Sequence, residues 1–521
     1  MSFIDCEFRL KECAAWNFSP RGVLNYHGHE DNSLNFLDLP EGSDADRPTL
    51  LCLIFHFYTS HNLRRYFNLV RALLVSPDSI DFALKLLPLL SKRGAARLAA
   101  WLLFRAIRPL NFREAAKYKV LVIEKAVFNE DIRVALHHVD DIQLFGVGRA
   151  VIKAMALGVL PRNVCADDTY ISDDAAARRA KQKYREFLSN VWRHLQRHVA
   201  FDAVLTGNWA YWAERELGAV LECEGTPFIV LHKEGIKPPA RSELLQRLFR
   251  VTRGQFMGRR MLVYQEAERQ HQIDGDISKP EQIVVVGMPR MDQLHNWRRQ
   301  AAKGLVRSRA EKPLVLFLAF LPNNFLPSYS GLECDLAWNE LCRGSLRAMV
   351  QVARQNPDAQ VLIRPRGQEI DETWGILLEI IGHKDTLPSN LTVSTDGDAI
   401  QLVQAAWLIV GHNTTVLLEG LAAGKPVIVP DFAEALDPLY HGYIVDVGAG
   451  AHYPHSEVDL VRTVSIHCQG SLTIPAELSQ ANVDALIHWT GNADGQSAAR
   501  VQAAVMHEIE LSISGKGTDL P

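Results

Sequence analysis

The chain has 521 residues, more than one hydrophobic core normally supports, so we expect two large domains with extensions. Its composition is 47% hydrophobic and 22% charged, with a formal net charge of −4, which is typical of a soluble globular protein and argues against a nucleic-acid binder. The eight cysteines form no C-x-x-C pair, which predicts reduced thiols and a cytoplasmic location. The first residues do not resemble a signal peptide, and no apolar run approaches the ~20 residues of a membrane span.

Residues 1–47 are predicted to be an N-terminal extension of mixed composition. They contain His27 and His29, a pair that lacks a third metal ligand nearby and is more typical of a protein surface. The apolar run 49–57 predicts a buried strand, which opens an α/β domain over 48–295.

Residues 78–117 are predicted to be a helical insertion in this first domain. One helical face carries four arginines beside a Trp-Leu-Leu-Phe run, namely Arg93, Arg97, Arg105 and Arg108 with Trp101, Leu102, Leu103 and Phe104. A basic amphipathic helix of this kind can lie on an anionic membrane surface. The plainer interpretation packs the Leu/Trp side on the domain and leaves the arginines in water.

Strand-like apolar runs then alternate with helical patterns, which predicts a parallel sheet covered by helices. The predicted strands lie within 119–124, 141–147, 201–209, 226–239, 260–268 and 282–294. Residues 296–312 are charged and poor in apolar residues, and we predict that they link two domains.

The α/β pattern restarts at residue 313 and predicts a second domain over 313–440. Its strands are expected within 313–324, 359–367, 390–398, Trp407–Val410 and Pro426–Pro430. Residues 441–521 are predicted to be a helical extension, with 499–513 as a late helix.

The polar turn Gly411–Thr415 passes from a buried strand into a helix. Asn413 or Thr414 can cap that helix, and its first N–H groups then attract anions, phosphate above all. Glu419 lies one helical turn further on, close enough to bind a sugar hydroxyl. The alternative is an ordinary capped helix with a solvated Glu419. Two successive α/β domains create a cleft between the carboxyl edges of their sheets, which is the natural ligand site.

Three stretches in this order resemble glycosyltransferases of the two-domain GT-B fold. The sequence at 405–432 is similar to their C-terminal donor-site element, with a strand, a small polar turn, a helix carrying a glutamate and a Gly-Lys-Pro strand. The stretch 284–294 resembles the Gly-x-Pro-x-x-Asp pattern that precedes the linker in surface-polymer transferases. The stretch 228–238 resembles the strand-then-His turn of CDP-glycerol polymerases and capsule-polysaccharide transferases. The resemblance covers roughly residues 200–432 and implies an α/β fold with two Rossmann-like domains facing a central cleft.

The resemblance, together with the chemistry of the side chains, implies a donor-binding set in the second domain. Glu419 would bind the nucleotide ribose, and His412 would reach the phosphate or orient the turn. Arg364 and Arg366 flank a proline at a strand end, where they would neutralise the leaving phosphate or form a surface salt bridge. The donor phosphates would be held by Asn413, Thr414 and Thr415.

The same comparison places a base in the first domain. His232 would take the proton of the acceptor hydroxyl, since an imidazole ordinarily titrates close to neutral pH, unless it is a buried structural histidine. Glu234 would orient His232 or replace it, and Gly207 and Asn208 would face the same cleft and bind the acceptor.

No metal or other cofactor is predicted. The triplet Asp396–Asp398 is interpreted as a helix cap and the triplet Asp274–Asp276 as a polar loop, and neither is assigned to a metal. Basic side chains and a helix end would then replace the cation.

Three functions remain open on the sequence. The leading one is a glycosyltransferase of surface or capsular polysaccharide biosynthesis, with a nucleotide-sugar donor, a glycan or glycolipid acceptor, no nucleic-acid partner and possible peripheral association with the inner membrane. The second keeps the fold but transfers a polyol phosphate from CDP-glycerol, or acts as a sugar-nucleotide 2-epimerase. The third is a non-catalytic scaffold of the same fold.

Overall fold

The computed structural model describes residues 79–113, 115–166, 170, 172–233, 235–252, 254–305, 312–330, 334–383 and 386–516. The predicted N-terminal extension, the predicted strand 49–57 and Glu234 lie outside the described residues. Within them the protein has two sheets, each covered by helices. The predicted fold class, α/β with two Rossmann-like domains and helical additions, is confirmed.

The first sheet has seven strands among the described residues, and its apolar strands explain its burial. Every neighbouring pair is parallel except β1 with β3. The sequences AVLT of β4 and FIVL of β5 are buried along their whole length, as expected for strands covered on both faces. The strands are β1 (Arg108–Pro109), β2 (Tyr118–Glu124), β3 (Ile142–Gly148), β4 (Ala203–Thr206), β5 (Phe228–Leu231), β6 (Arg260–Val263) and β7 (Ile283–Val285), in the order β1-β3-β2-β4-β5-β6-β7.

Ten helices belong to this part of the described chain. They are α1 (Ser79–Lys92), α2 (Ala96–Ala106), α3 (Ala126–Leu136), α4 (Arg149–Leu157), α5 (Arg162–Cys165), α6 (Ala175–Gln196), α7 (Trp212–Cys223), α8 (Pro239–Thr252), α9 (Glu266–Asp274) and α10 (Met291–Ala302). The predicted helical insertion 78–117 is thus two helices, α1 and α2, followed by the edge strand β1. Both helices pack into the helical layer of the domain, α1 against α4 and α2 against α6.

The second sheet has five parallel strands in the order β10-β9-β8-β11-β12. Counted from its first strand this is the order 3-2-1-4-5 of a Rossmann-type domain, so the winding direction reverses between β8 and β11. Ligands of open α/β sheets bind at the carboxyl ends of the strands at this reversal. The strands are β8 (Leu314–Leu318), β9 (Gln360–Arg364), β10 (Leu391–Val393), β11 (Leu408–Gly411) and β12 (Val427–Ile428).

Seven helices follow along the described part of the second domain and its extension. They are α11 (Asn339–Gln355), α12 (Ile370–Ile381), α13 (Ala399–Ala405), α14 (Thr415–Ala422), α15 (Glu457–Gln469), α16 (Gln480–Thr490) and α17 (Ser497–Lys516). The predicted late helix 499–513 is confirmed within α17.

The predicted linker 296–312 begins inside a helix. Helix α10 continues to Ala302 and packs against α13 and α14 of the second domain. The charged residues in this stretch indicated a solvent-exposed linker. Arg298, however, is buried and donates to the backbone carbonyl of Ala476, so its charge does not mark an exposed segment. The passage between the two sheets therefore starts only after Ala302, and residues 306–311 of it lie outside the described residues.

The end of the chain returns to the first domain. Helix α17 packs on α3 and β6, and the carboxylate of Glu508 pairs with Arg260. Tyr118 donates its hydroxyl to Glu510 at 3.0 Å, and the Gln502 amide donates to the Ala135 carbonyl at 2.7 Å. Helix α17 of the predicted C-terminal extension therefore packs on the first domain, whereas α15 packs on α11 and α16 on α14 of the second domain.

The Gly-Met-Pro-Arg-Met-Asp turn explains how this return is held. A Cβ at Gly287, whose φ is +80°, would lie 2.1 Å from Ser497 Oγ, so only glycine lets the two segments meet. The Asp292 carboxylate accepts hydrogen bonds from the backbone N–H groups of Ser497 at 3.1 Å and Ala498 at 2.8 Å. It also accepts a bond from the Asn492 amide at 2.6 Å. Asp292 thus caps α17 from about 200 residues away.

Asp292→Ala is expected to lower the free energy of unfolding by about 3 kcal/mol, because it leaves several buried donors without acceptors. Asp174→Ala is the control, since Asp174 caps α6 at an exposed helix end, and there we expect a loss of about 1 kcal/mol. Urea unfolding measures both. Equal losses in the two variants would contradict the assigned role of Asp292.

Candidate active site

A cavity lies at the winding reversal of the second sheet. Its volume is about 520 Å³, and it is formed by the carboxyl ends of β8, β9 and β11 with the first turn of α14. The predicted donor residues Arg364, Arg366, His412, Thr414 and Thr415 all line it. The structure therefore brings together five of the seven predicted donor-binding residues.

Thr414, not Asn413, caps helix α14. Thr414 has an extended backbone with φ −137°, and its hydroxyl accepts a long hydrogen bond from the Val416 N–H at 3.4 Å. Thr414, Thr415 and Val416 are partly exposed and line the cavity. The first N–H groups of a helix lack intrahelical acceptors, so this turn offers donors and a positive dipole end to an anion.

Asn413 has a structural task that the sequence did not indicate. Its backbone is left-handed, with φ +48°, which asparagine tolerates better than most residues. Its amide donates to the Tyr443 carbonyl at 2.9 Å, and its side-chain oxygen accepts from the Val445 N–H at 2.7 Å. The side chain therefore ties the turn to the segment after β12, and only its backbone is available near the cavity.

His412 lines the cavity as a neutral aromatic ring. It is 1% exposed and contacts Phe320, with ring centroids 5.2 Å apart, and Trp338, with centroids 4.7 Å apart. Burial lowers the pKa of His412 to about 3, so the ring is neutral near neutral pH. Both ring nitrogens are buried with no hydrogen-bond partner among the described residues. Such a ring can donate one hydrogen bond to a neutral or anionic ligand.

The burial of His412 predicts how the free energy of unfolding depends on pH. Its folded-state pKa of about 3 lies below the ordinary 6.5, so the unfolded chain binds the extra proton first and stability falls as pH drops from 6.5 towards 3. His412→Gln should remove roughly 1 kcal/mol per pH unit from this acid loss, measured by urea unfolding at neutral and mildly acid pH. The control is His441→Gln at an exposed position. An acid loss in His412→Gln as steep as in the control would contradict the prediction.

The two arginines at the end of β9 differ in availability. The Arg364 guanidinium donates to the backbone carbonyls of Asp396 and of Gly397, the latter at 2.8 Å, so it fixes the loop before α13. Arg366 is exposed, and its Nη1 lies 3.4 Å from Glu369 Oε1. Arg366 is therefore the more exposed of the two cavity-lining arginines.

Glu419 lies at the interface between the domains. It is 4% exposed, and its Oε1 accepts from Arg290 Nε at 3.2 Å. Arg290 comes from the first domain and also donates to the Asp131 carboxylate at 2.8 Å and, through its backbone N–H, at 3.0 Å. The Oε2 atom of Glu419 is buried without a hydrogen-bond partner among the described residues. The predicted solvated alternative for Glu419 is wrong, because Arg290 and burial remove it from water.

Further polar groups surround this ion pair. Tyr264 donates to Asp131 at 2.6 Å. Burial raises the pKa of Glu130, and the Arg290 charge opposes that rise. Burial and then the Arg290 charge lower the pKa of Lys233, while the Glu419 charge raises it. Lys233 directly follows His232, so the end of β5 and helix α14 face each other across the cleft.

His232 ends β5 and is held by a carboxylate that the sequence did not reveal. Its Nε2 lies 3.2 Å from Glu268 Oε1, on helix α9, and both side chains are buried. Burial would raise the pKa of Glu268, but the Lys237 ammonium and His232 lower it to about 2, so it is ionised. Glu268 also accepts from Lys237 at 2.5 Å. The predicted partner, Glu234, lies outside the described residues.

This geometry fixes the tautomer of a neutral His232. Because Nε2 faces an ionised carboxylate, Nε2 carries the hydrogen and Nδ1 is the basic atom. Nδ1 is buried with no hydrogen-bond partner among the described residues. A histidine oriented by a carboxylate is the arrangement that general bases use. An acceptor reaches Nδ1 only if the groups that cover it move.

The predicted acceptor residues lie beside His232 at the end of β4. The Gly207 carbonyl accepts from the Lys233 N–H at 3.1 Å. Asn208 is buried, and its side-chain oxygen accepts from the Ala210 N–H at 2.7 Å, which shapes the loop. Nearby, Tyr211 receives a hydrogen bond from Lys125 at 2.9 Å and has the Arg149 guanidinium over its ring at 4.0 Å. The sequence interpretation missed these two cations at the ends of β2 and β3.

The structure agrees with the prediction for the triplet Asp396–Asp398 and only partly for Asp274–Asp276, which is predicted to be a loop. Asp398 caps α13 by accepting from the Gln401 N–H at 3.0 Å. Asp274 is the last residue of α9, and Asp276 follows with φ +53°. The described residues contain no group of three His, Cys, Asp or Glu side chains arranged to hold a metal ion.

Two Rossmann-like domains, with a cavity at the first turn of α14 in the second domain and a histidine–carboxylate pair at the end of β5 in the first, are the arrangement of the GT-B architecture. The sequence itself matches no protein-family model and no curated protein.

Solved structures of similar fold include three enzymes. A UDP-GlcNAc 2-epimerase from Methanocaldococcus jannaschii shares 12% identity over 75% of this chain and 99% of that chain, with a TM-score of 0.44. An α,α-trehalose 6-phosphate synthase from Burkholderia multivorans shares 11% identity over 78% of this chain and 99% of that chain, with a TM-score of 0.43. A glycosyltransferase from Rickettsia africae shares 13% identity over 75% of this chain and 98% of that chain, with a TM-score of 0.41.

Proposed function

We propose that the protein is a glycosyltransferase that moves a sugar from a nucleotide-activated donor to a surface-polysaccharide or glycolipid acceptor. One observation carries the proposal. The first turn of α14 lines a cavity of about 520 Å³ at the winding reversal of the second sheet, beside Arg366. A diphosphate bound there would accept hydrogen bonds from backbone N–H groups, lie on the positive dipole end of the helix and meet the exposed guanidinium of Arg366.

Two further side chains have buried polar atoms without a hydrogen-bond partner among the described residues. A ring nitrogen of His412, which lines the cavity, would donate a hydrogen bond to the nucleotide-sugar. Glu419 lies on the same helix as Thr415 but does not line the cavity, and its Oε2 would accept a hydrogen bond from a ribose hydroxyl that extends towards the domain interface. The helix end and Arg366 would stabilise the negative charge that builds on the leaving phosphate, so we expect the reaction to need no metal.

The transfer step would use His232 as general base. The acceptor hydroxyl would lose its proton to His232 Nδ1 while its oxygen bonds to the anomeric carbon of the donor sugar. The bond from that carbon to the phosphate oxygen would break, and the nucleoside diphosphate would leave with the bonding electrons. Ionised Glu268 would stabilise the imidazolium, and the loop of Gly207 and Asn208 would position the acceptor.

Thr415→Pro tests the donor site without disturbing the fold. Thr415 is the first helical residue of α14 and follows an extended residue, so proline fits there while removing one N–H group. We expect unchanged stability of the free protein and roughly tenfold weaker binding of the preferred nucleotide among UDP, CDP, CMP and GDP, measured by calorimetry.

Thr415→Ala is the matched control, because it removes the hydroxyl and keeps the N–H group. It should bind nucleotide more tightly than Thr415→Pro. If no nucleotide in the panel binds the wild type, or if Thr415→Pro binds as well as Thr415→Ala, the donor site proposed at this turn is excluded.

Product analysis separates the proposed reaction from the alternatives with the same fold. A glycosyltransferase needs an acceptor for glycoside formation, a polyol-phosphate transferase yields phosphodiesters, and a 2-epimerase converts its sugar nucleotide without an acceptor. A scaffold binds nucleotide or nothing and turns over none of these substrates.

A further inference from the structure

The surface formed by α2 and the ends of its neighbouring helices has an unusual charge distribution. Residues 82–113 contain no aspartate or glutamate, while the whole chain has a net charge of −4. Their basic residues are Lys85, Lys92, Arg93, Arg97, Arg105, Arg108 and Arg113. Arg108 pairs with Glu124 and Arg113 with Asp140, so the excess positive charge of this region lies on Lys85, Lys92, Arg93, Arg97 and Arg105.

The arginines of α2 share one stripe with an exposed tryptophan. Arg97, Trp101 and Arg105 follow one another at intervals of four residues on α2, which places them along one helical face. Arg93 precedes this helix, in the turn between α1 and α2. The arginines are exposed, and Trp101 is 40% exposed. The plainer sequence interpretation is thus half right: Leu102 and Leu103 are buried on the domain, but Trp101 faces outward with the arginines.

The opposite face of α2 is buried in the hydrophobic core. Ala99, Ala100, Leu102, Leu103 and Ala106 are buried against α1 and α6. The exposed stripe is therefore not a second packing face for the described elements. The helix is fixed with its basic face outward.

The surroundings extend this surface in both directions. Leu89 near the end of α1 is 37% exposed, and Leu157 at the end of α4 is 47% exposed. On the other side, burial and then the charges of Arg197 and Arg97 lower the pKa of His194, so the end of α6 adds a second arginine beside the stripe. Exposed apolar side chains thus lie among cations.

We propose that this face, formed by Arg97, Trp101 and Arg105 of α2, by Arg93 in the preceding turn, and by Leu89 and Leu157, docks the protein on the surface of an anionic phospholipid bilayer. The guanidinium groups meet lipid phosphates, and tryptophan is favoured at the depth of the headgroups. Charge complementarity selects this occupant, because exposed arginines around an exposed tryptophan match the phosphates and the headgroup depth of an anionic bilayer. No described helix is long and apolar enough to cross a bilayer, so the contact is peripheral.

Vesicle flotation tests the proposal with the full-length protein. The wild type should float with phosphatidylcholine vesicles that contain phosphatidylglycerol, and not with pure phosphatidylcholine. A triple variant should partition onto the anionic vesicles roughly 100-fold more weakly than the wild type, at about fivefold per charge removed. It combines Arg93→Gln, Arg97→Gln and Arg105→Gln. Trp101→Ser should weaken partitioning with the charge unchanged, and high salt should weaken that of the wild type.

The control combines Arg247→Gln, Arg354→Gln and Arg462→Gln, which removes the same charge from exposed arginines elsewhere. It should float like the wild type, and circular dichroism should show all variants folded. Failure of the wild type to float on anionic vesicles, equal flotation of the two triple variants, or binding of an oligonucleotide in place of vesicles would overturn the proposal. None of these outcomes depends on nucleotide binding or catalysis.

Discussion

Replacing Arg290 with methionine is expected to lower the free energy of unfolding by roughly 3–5 kcal/mol. The change leaves Asp131 and Glu419 as buried carboxylates without their cation, since Arg290 lies 2.8 Å from one and 3.2 Å from the other. Burying an unpaired charge costs far more than the ion pair itself contributes. Urea unfolding followed by circular dichroism measures the loss.

Arg298→Met is the matched control for this prediction. Arg298 lies on α10, the helix whose N-cap residue is Arg290, and it is equally buried, at 5% exposure. It donates to the backbone carbonyls of Pro475 and Ala476, not to carboxylates. We expect it to lose about 1–2 kcal/mol. Adding Asp131→Asn and Glu419→Gln to Arg290→Met should restore part of the stability. A triple variant no more stable than Arg290→Met would show that the buried charges are not the cause.

Replacing His232 with alanine is expected to lower kcat of the proposed transfer by 100- to 10,000-fold, the usual contribution of a general base. Nucleotide binding should remain, because the donor cavity is lined by the second domain. Steady-state kinetics with the preferred donor and acceptor provide the measurement. The proposed base is excluded if His232→Ala keeps more than about a tenth of the wild-type kcat.

Glu268→Gln separates orientation from proton transfer. The amide can still accept from His232 Nε2–H, but it no longer stabilises the imidazolium, so the acidic limb of the kcat–pH profile should move to lower pH. His295→Gln is the control for a buried histidine outside the cleft, since its Nε2 lies 3.1 Å from the Asn492 carbonyl. It should affect stability and leave kcat unchanged. An unmoved pH profile in Glu268→Gln would contradict the orienting role.

The local features of the donor element could be predicted from the sequence. The apolar runs around residues 408–411 and 427–428 lie on either side of one helix-length segment, and the structure places them as parallel strands β11 and β12. The caps Thr414 and Asp398 were also found, because side-chain capping depends on residues within one turn.

The partners of the buried charged groups could not be predicted in this way. Glu419 meets Arg290 at a separation of 129 residues, and Arg290 meets Asp131 at 159. A charged residue gives no local signal of its own burial, so Glu419 was interpreted from its position on the helix alone. Glu268 had a weak signal, an acid in the first turn of a helix that follows a strand neighbouring β5. The predicted linker 296–312 overlaps the last residues of α10, because this helix is rich in charge and yet packs against α13, α14 and α17.

The return of α17 has a consequence for how the protein is made. Arg260 is synthesised 248 residues before its partner Glu508, and Tyr118 is synthesised 392 residues before its partner Glu510. The first domain therefore leaves the ribosome with the β6 and α3 surfaces exposed. They are covered only after the second domain and α17 have been translated. Premature termination anywhere in the second half would release a lobe with exposed β6 and α3 surfaces and a high tendency to aggregate.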